Sequence, residues 1–311
     1  MNPMWTRAWR SGIAAVLVAA ASCGDSRRPP PPLVLIDAPP PTVLPDLVAP
    51  LVPATVTLLE PGAEPRRPRR YDYDVNRMLG LELELAWTTT EGPGGASTPP
   101  AVLVRFEPAA KARTGELTPV ILTAELVSAR DVEGGVAPAS TLAQATAELR
   151  GASIRFELDD RGVTRTRHAD GPLGNHRHPL WATIAPGLDQ LWLPLPAEDI
   201  GVGARWTVHE VRWYGGALVT IESTYQLDAV DGSGLSVRGE RRLTGRPQRL
   251  ETGSAPVEVS DIEGTGAIDA QVLLGRGEVR ATGTLALSQT MTTMGQTIRV
   301  GSQLRFTITP R

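Results

Sequence analysis

Cys23 is the only thiol in this 311-residue chain, and its place is as informative as its chemistry. Arg7 and Arg10 precede an apolar stretch from Ser11 to Ser22, and Ala20-Ala21-Ser22 closes that stretch with small side chains. A run of twelve residues is too short to cross a ~30 Å hydrocarbon core as a helix, so residues 1–22 are expected to be a cleaved signal. An ordinary secretory signal ending near a cysteine would share these features. His168, His176 and His178 form a second group, falling within eleven residues alongside Asp170. Imidazoles beside a carboxylate can bind a transition metal. Here Gly171, Pro172, Gly174 and Asn175 leave no regular element to fix their spacing, so a polar surface loop is expected and no metal site. His209 falls on a strand pattern and is expected to be a half-exposed strand residue.

The remaining candidates weaken in the same way. Asp159 and Asp160 are adjacent, so on a strand they face opposite sides and cannot cooperate as acid and base. No Gly-x-Ser-x-Gly elbow positions a nucleophile. Gly201-Val202-Gly203 has two glycines of a nucleotide fingerprint, but Trp206 stands in place of the third and a strand pattern follows instead of a helix. No enzymatic activity, cofactor or nucleotide is therefore expected. Trp87, Trp181, Trp192, Trp206 and Trp213 are core candidates. Trp181 and Trp192 flank a broken helical pattern and are the two ligand-binding candidates, where they would line an opening over a sheet. Met291 and Met294 fall between two strand patterns, near a turn at Gly295, as either a contact surface or core.

The elements that must position these groups are strands. Leu79, Leu81, Leu83, Leu85 and Trp87 alternate with polar or small residues, as do Ile298, Val300, Leu304, Phe306 and Ile308 near the end. Further strands are expected at 101–107, 119–130, 152–159, 162–168, 205–214, 217–229, 235–244, 256–263, 266–274 and 277–290. Asp160-Arg161-Gly162, Asp231-Gly232-Ser233-Gly234 and Gly275-Arg276-Gly277 supply turns between them. Short connections favour antiparallel neighbours. Two short helices are expected. One starts from a capping box at Thr141 and Gln144 and ends at Gly151; the other covers 180–190, shortened or broken at Pro186-Gly187. The fold class is all-β with one or two short helices, as a large curved antiparallel sheet that forms an open or incomplete barrel. The helices are expected to lie across its concave face.

Composition divides the chain. Thirteen of the 28 prolines lie between Gly24 and Arg70. Proline excludes a helix or a central strand there and favours an extended spacer, at most about 145 Å long at 3.1 Å per residue. The expected division is a signal over 1–22, a lipidated N-terminus and linker over 23–70, and one β domain over 71–311. Residues 24–70 are expected to be dispensable for folding. Leu33 to Ile36 and Leu47 to Val52 are apolar enough to dock on the domain or on a partner. Arg66, Arg67, Arg69 and Arg70 suit either a solvated hinge or contact with anionic phospholipid. The net charge is −3, and loss of Arg7 and Arg10 with the signal would leave −5, which argues against nucleic acid. With one cysteine the chain has no internal disulfide, so a hydrophobic core must stabilise the roughly 240 residues beyond the linker.

Ala20-Ala21-Ser22-Cys23 resembles the lipobox of bacterial lipoproteins. That resemblance implies cleavage before Cys23, a diacylglycerol thioether on its sulfur, usually a third acyl chain such as palmitate on the new amino group, and residence in the cell envelope. Gly24 after the cysteine favours the outer membrane, facing the periplasm or the cell surface. Leu193-Pro194-Leu195-Pro196 followed by Ile200-Gly201-Val202-Gly203-Ala204-Arg205-Trp206 is similar to an element of a bacterial lipoprotein family of unknown function. The order of features over 71–311 resembles that family too. It in turn looks like the half-barrel class of lipoprotein carriers, in which a curved sheet wraps helices. The resemblance supplies no catalytic residues. Two functions remain: a scaffold or interaction module whose sheet is filled by its own side chains, or a carrier or sensor holding a lipid or other apolar ligand on the concave face. Low aromatic content (5%) and many small or β-branched inward positions favour the scaffold.

Overall fold

Period-two alternation is carried through into burial. Leu81, Leu83 and Leu85 are buried while Glu82 and Glu84 are half-exposed, and Ala217, Val219, Ile221, Ser223, Tyr225 and Leu227 all face inward. Each such strand has one face to bury, and side-by-side strands solve this by curling around a common interior. A computed structural model of the chain describes residues 52–73, 78–92, 95–170, 180–232, 234–251 and 255–311. Its strands are β1 (Thr55–Glu60), β2 (Leu81–Glu91), β3 (Ala96–Ser97), β4 (Ala101–Ala110), β5 (Thr118–Arg130), β6 (Ser153–Leu158) and β7 (Thr164–Ala169). They continue as β8 (Arg205–Tyr214), β9 (Ala217–Asp231), β10 (Gly234–Thr244), β11 (Gln248–Glu251), β12 (Pro256–Leu273), β13 (Glu278–Thr293) and β14 (Gln296–Pro310). The helices are α1 (Ala143–Glu148) and α2 (Trp181–Leu188).

The strands form one antiparallel sheet in the order β1-β8-β9-β10-β12-β13-β14-β2-β4-β5-β6-β7, with β3 beside β2 and β11 beside β12. The sheet is not closed into a barrel. Its curvature is visible in contacts between distant strands: the Tyr214 hydroxyl on β8 donates to the Leu285 carbonyl on β13 at 2.8 Å, and its ring stacks on Trp87 of β2 at 5.4 Å. Helix α2 lies in the interior against β2. A Cβ on Gly187 would stand 2.6 Å from Leu85, so only glycine lets the helix approach so closely, and Trp87 Nε1 donates to the Thr183 carbonyl at 3.2 Å.

Three local features differ from the sequence expectation. The sheet begins before Tyr71: β1 pairs with β8, with Thr55 opposite His209 and Leu58 opposite Trp206. Prolines flank this strand at 53 and 61, and it sits at the sheet edge, where missing N–H groups cost least. The chain after it is also tied down. Arg67 bridges Ile200, Arg70 Nη1 donates to the Pro196 carbonyl at 3.2 Å, and Tyr71 and Tyr73 stack at 5.6 Å. Next, the 256–263 and 266–274 patterns are one strand, β12. Gly264 and Gly266 do not break it. They admit close contact with β13, since a Cβ on either would lie within 2.5 Å of a β13 carbonyl oxygen. A bulge at Ser260–Glu263, with Asp261 at φ 50°, bends the strand. Third, the capping box does not form. Thr141 sits in a 3-10 turn (Ala139–Leu142) and its hydroxyl donates to the Pro138 carbonyl, while Gly151 turns left-handed after the helix as expected.

Because β1 and the 61–73 segment belong to the fold, a chain beginning at Tyr71 should melt about 5 °C or more below one beginning at Val52. Thermal denaturation followed by far-UV circular dichroism checks this; equal midpoints would mean that β1 contributes nothing to stability.

Candidate functional site on the concave face

Inward positions are mostly apolar, which makes the exceptions conspicuous. Arg167 on β7, Glu210 and Arg212 on β8, Ser223 and Tyr225 on β9 and Arg241 on β10 all point into the interior, where Asp189 and Gln190 follow the last turn of α2. Arg167 Nη1 donates to Asp189 Oδ1 at 2.6 Å, and Arg212 Nε lies 3.9 Å from the same oxygen. Arg212 Nη2 also donates to Glu210 Oε1 at 2.8 Å. Burial works to lower the Arg212 guanidinium, but Glu210 and Asp189 together outweigh it and hold its pKa above the usual arginine value. A carboxylate at a helix C-terminus is disfavoured by the helix dipole, and two guanidinium groups offset that here. Beside this set Arg241 donates to Gln190 Oε1 and, at 3.1 Å, to the Tyr225 hydroxyl. Gln190 Nε2 in turn donates to the Pro186 carbonyl at 3.2 Å.

The space around the cluster is small. A recess bordered by Asp189, Gln190, Arg212 and Leu285 has a volume of about 10 Å³, room for roughly one water. A wider recess of about 220 Å³ opens at the strand ends between Tyr71, Tyr73, Lys111, Arg113, Asp72 and Asp160. Its four charged side chains suit a polar guest, and its volume falls below the roughly 300–1,000 Å³ of ordinary ligand pockets. Burial raises the Tyr71 and Tyr73 phenols, so both stay neutral; they bond the Leu193 and Asp159 carbonyls.

Of the residues singled out in the sequence, Cys23, His176, His178 and the side chain of Trp181 lie outside the described residues. Trp192 is buried: its ring packs edge-on to Phe156 at 4.9 Å and its Nε1 donates to the Gly277 carbonyl at 3.0 Å. It is held in the core on both counts. His168 and Asp170 form an exposed pair at 3.1 Å, and His209 faces Glu222 at 3.7 Å on the outer surface. Among the described residues no group of three or more His, Cys, Asp or Glu side chains is placed to hold a metal. Asp159 is buried under Arg161 and Arg165 and accepts the Arg161 and Val163 backbone N–H groups, while Asp160 faces Arg70. The two carboxylates are therefore separately engaged. Gly201 is explained by packing, since a Cβ there would lie 1.8 Å from the Ala63 carbonyl oxygen. The interior cluster itself went unread in the sequence. Its signal was an arginine sharing strand parity with apolar residues: Arg212 with Trp206, Val208 and Tyr214, and Arg241 with Leu235, Val237 and Leu243.

No family model matches the chain, and no curated protein matches it. Among the described residues no helix is long and apolar enough to cross a membrane.

The two methionines near Gly295 separate. Met291 is 6% exposed and packs inward, whereas Met294 is 82% exposed. Met294-Gly295 is the two-residue turn between β13 and β14, with φ of 48° and 76°. Both central residues of such a turn need positive φ, which an Asn tolerates better than a Met. Met294→Asn should therefore hold or raise stability by up to ~1 kcal/mol, and Met291→Ser should lower it by ~2 kcal/mol or more. Urea denaturation of both variants checks the assignment; a larger loss from Met294→Asn than from Met291→Ser would reverse it.

Proposed function

We propose that this chain is a lipid-anchored, non-enzymatic protein of the cell envelope whose β domain acts as a scaffold or interaction module. Cys23 is the lipid attachment point in this reading, and the residues between it and Val52 are the tether that connects membrane to domain. The observation that carries the scaffold role is the state of the concave face. Its centre is occupied by α2, and the polar side chains around Asp189 close around that helix. An acyl chain wants a continuous apolar cavity, and the recess bordered by Asp189, Gln190, Arg212 and Leu285 has room for about one water. With the interior spent on the protein's own side chains, the outer face and strand ends are left to meet a partner. Outer-membrane residence follows from Gly24 after the cysteine.

The test uses Cys23→Ala in the native host. The substitution should abolish palmitate labelling and move the protein from the membrane to the soluble fraction; labelling that persists would contradict lipidation at Cys23. Native mass spectrometry of that soluble variant should then give the bare polypeptide mass. A co-purifying lipid mass would favour the carrier or sensor over the scaffold.

A further inference from the structure

The wider recess at the strand ends is built from three parts of the chain that backbone hydrogen bonds hold together. The connection from β4 to β5 supplies Lys111 and Arg113, with Thr118 at the start of β5. The segment before β2 supplies Tyr71, Asp72 and Tyr73, and the turn after β6 supplies Asp160. Lys111 N–H donates to the Pro119 carbonyl at 2.9 Å, Tyr71 N–H to the Asp160 carbonyl at 2.7 Å, and Asp72 N–H to the Leu274 carbonyl at 2.8 Å. Its walls therefore stand in place before any guest arrives, which lowers the ordering cost of binding. The two signs of charge are unequally engaged. Arg70 Nε lies 3.7 Å from Asp160 Oδ1, and Asp72 is engaged as well. Lys111 and Arg113 are exposed, and neither forms an ion pair among the described residues. Arg113 Nε and Nη2 donate to the backbone carbonyls of Gly115 and Glu116 at 3.0 and 3.4 Å, which holds the guanidinium beside the recess.

Tyr71 and Tyr73 stack 8° from parallel, and their hydroxyls turn away to the Leu193 and Asp159 carbonyls. The rings therefore offer carbon, not hydroxyl, to the recess. Its volume of about 220 Å³ equals roughly seven waters at ~30 Å³ each, room for one amino-acid residue and too little for a nucleotide. We propose that the recess binds the C-terminal residue of a partner polypeptide, with its carboxylate on Lys111 and Arg113 and its apolar side chain on the two tyrosine rings. Both groups sit on one carbon, so a single residue of this size reaches cations and floor together. Phosphate brings no apolar body, and a free amino acid brings an ammonium toward three cations, Lys111, Arg113 and Arg70. This site rests on the scaffold reading, which leaves the strand ends to meet a partner. Exposed charge pairs are individually weak, so one residue alone should bind with a dissociation constant on the order of 1 mM.

Lys111 is the only lysine in the chain, so isotopically labelled lysine gives a single side-chain signal in nuclear magnetic resonance of the full chain. The probe is N-acetylleucine, which carries the carboxylate and side chain of a C-terminal residue without an ammonium. It should move the Lys111 signal and saturate near the millimolar constant above. N-acetylleucinamide, the same body without the carboxylate, should leave the signal in place. Acetate and inorganic phosphate, charge without that body, should bind about fivefold or more weakly. Arg113→Gln should weaken N-acetylleucine by about fivefold and leave the melting midpoint unchanged, because the side chain is exposed. A Lys111 signal that stays still at ~50 mM N-acetylleucine would overturn the site. So would equal movement by N-acetylleucinamide, or tighter binding of phosphate than of N-acetylleucine, which would make the recess a plain anion site. None of these outcomes bears on palmitate labelling at Cys23 or on a co-purifying lipid mass, so the recess and the anchored scaffold fail separately.

Discussion

A single carboxylate connects the two arms of this sheet. Arg167 stands on β7, the last strand at one end of the order, and Arg212 on β8, the second strand from the other end; both reach Asp189 at the end of α2. An open sheet has no backbone hydrogen bonds to hold its ends near each other, so curvature must be fixed by side chains or by something packed inside. Here α2 rests its Gly187 on the middle of the sheet at β2 and presents Asp189 to both arms. A buried ion pair of this kind gains little over an apolar substitute, because desolvation offsets the attraction. What it does supply is a specific geometry: one register of the arms about the helix satisfies the carboxylate.

Other features support the same closure. Tyr214 crosses the interior to Leu285, and Trp206 Nε1 donates to the Pro194 carbonyl at 3.0 Å, tying β8 to the segment that follows α2. The 61–73 segment runs from β1 past Ile200 and Leu193 to Leu274, joining strands far apart in the sheet order. On the outer face the ion pairs are exposed ones, such as Arg299 with Glu263 at 3.1 Å, whose contribution to stability is small. The interior and the crossing segment therefore set the shape, and the outer surface is free to vary with function.

Much of this architecture was legible from alternation. β8 was bounded correctly at both ends, and β2, β5, β9, β10 and β13 to within a few residues, because each buries one face and exposes the other. The failures have physical causes. β1 was hidden by proline density, since composition does not distinguish a spacer from an edge strand whose N–H groups are partly dispensable. The sequence expectation left a break between 256–263 and 266–274, where β12 is continuous and Gly264 and Gly266 allow close approach to β13. At the site, Asp189 was invisible because its partners lie 22 and 23 positions away in sequence, on strands that only the folded sheet brings together. Trp192 was read as lining an opening on the strength of its neighbours in sequence, and it packs instead on Phe156.

Hydrogen exchange separates a clasp from an ordinary stabilising contact. Comparison of the full chain with its Asp189→Asn variant, read amide by amide, asks whether the carboxylate joins the two arms. If it does, protection should fall in β7 and β8 together by on the order of a hundredfold, with β12 and β13 at the centre of the sheet much less affected. An equal loss over the whole sheet, or a loss in one arm only, would contradict the clasp.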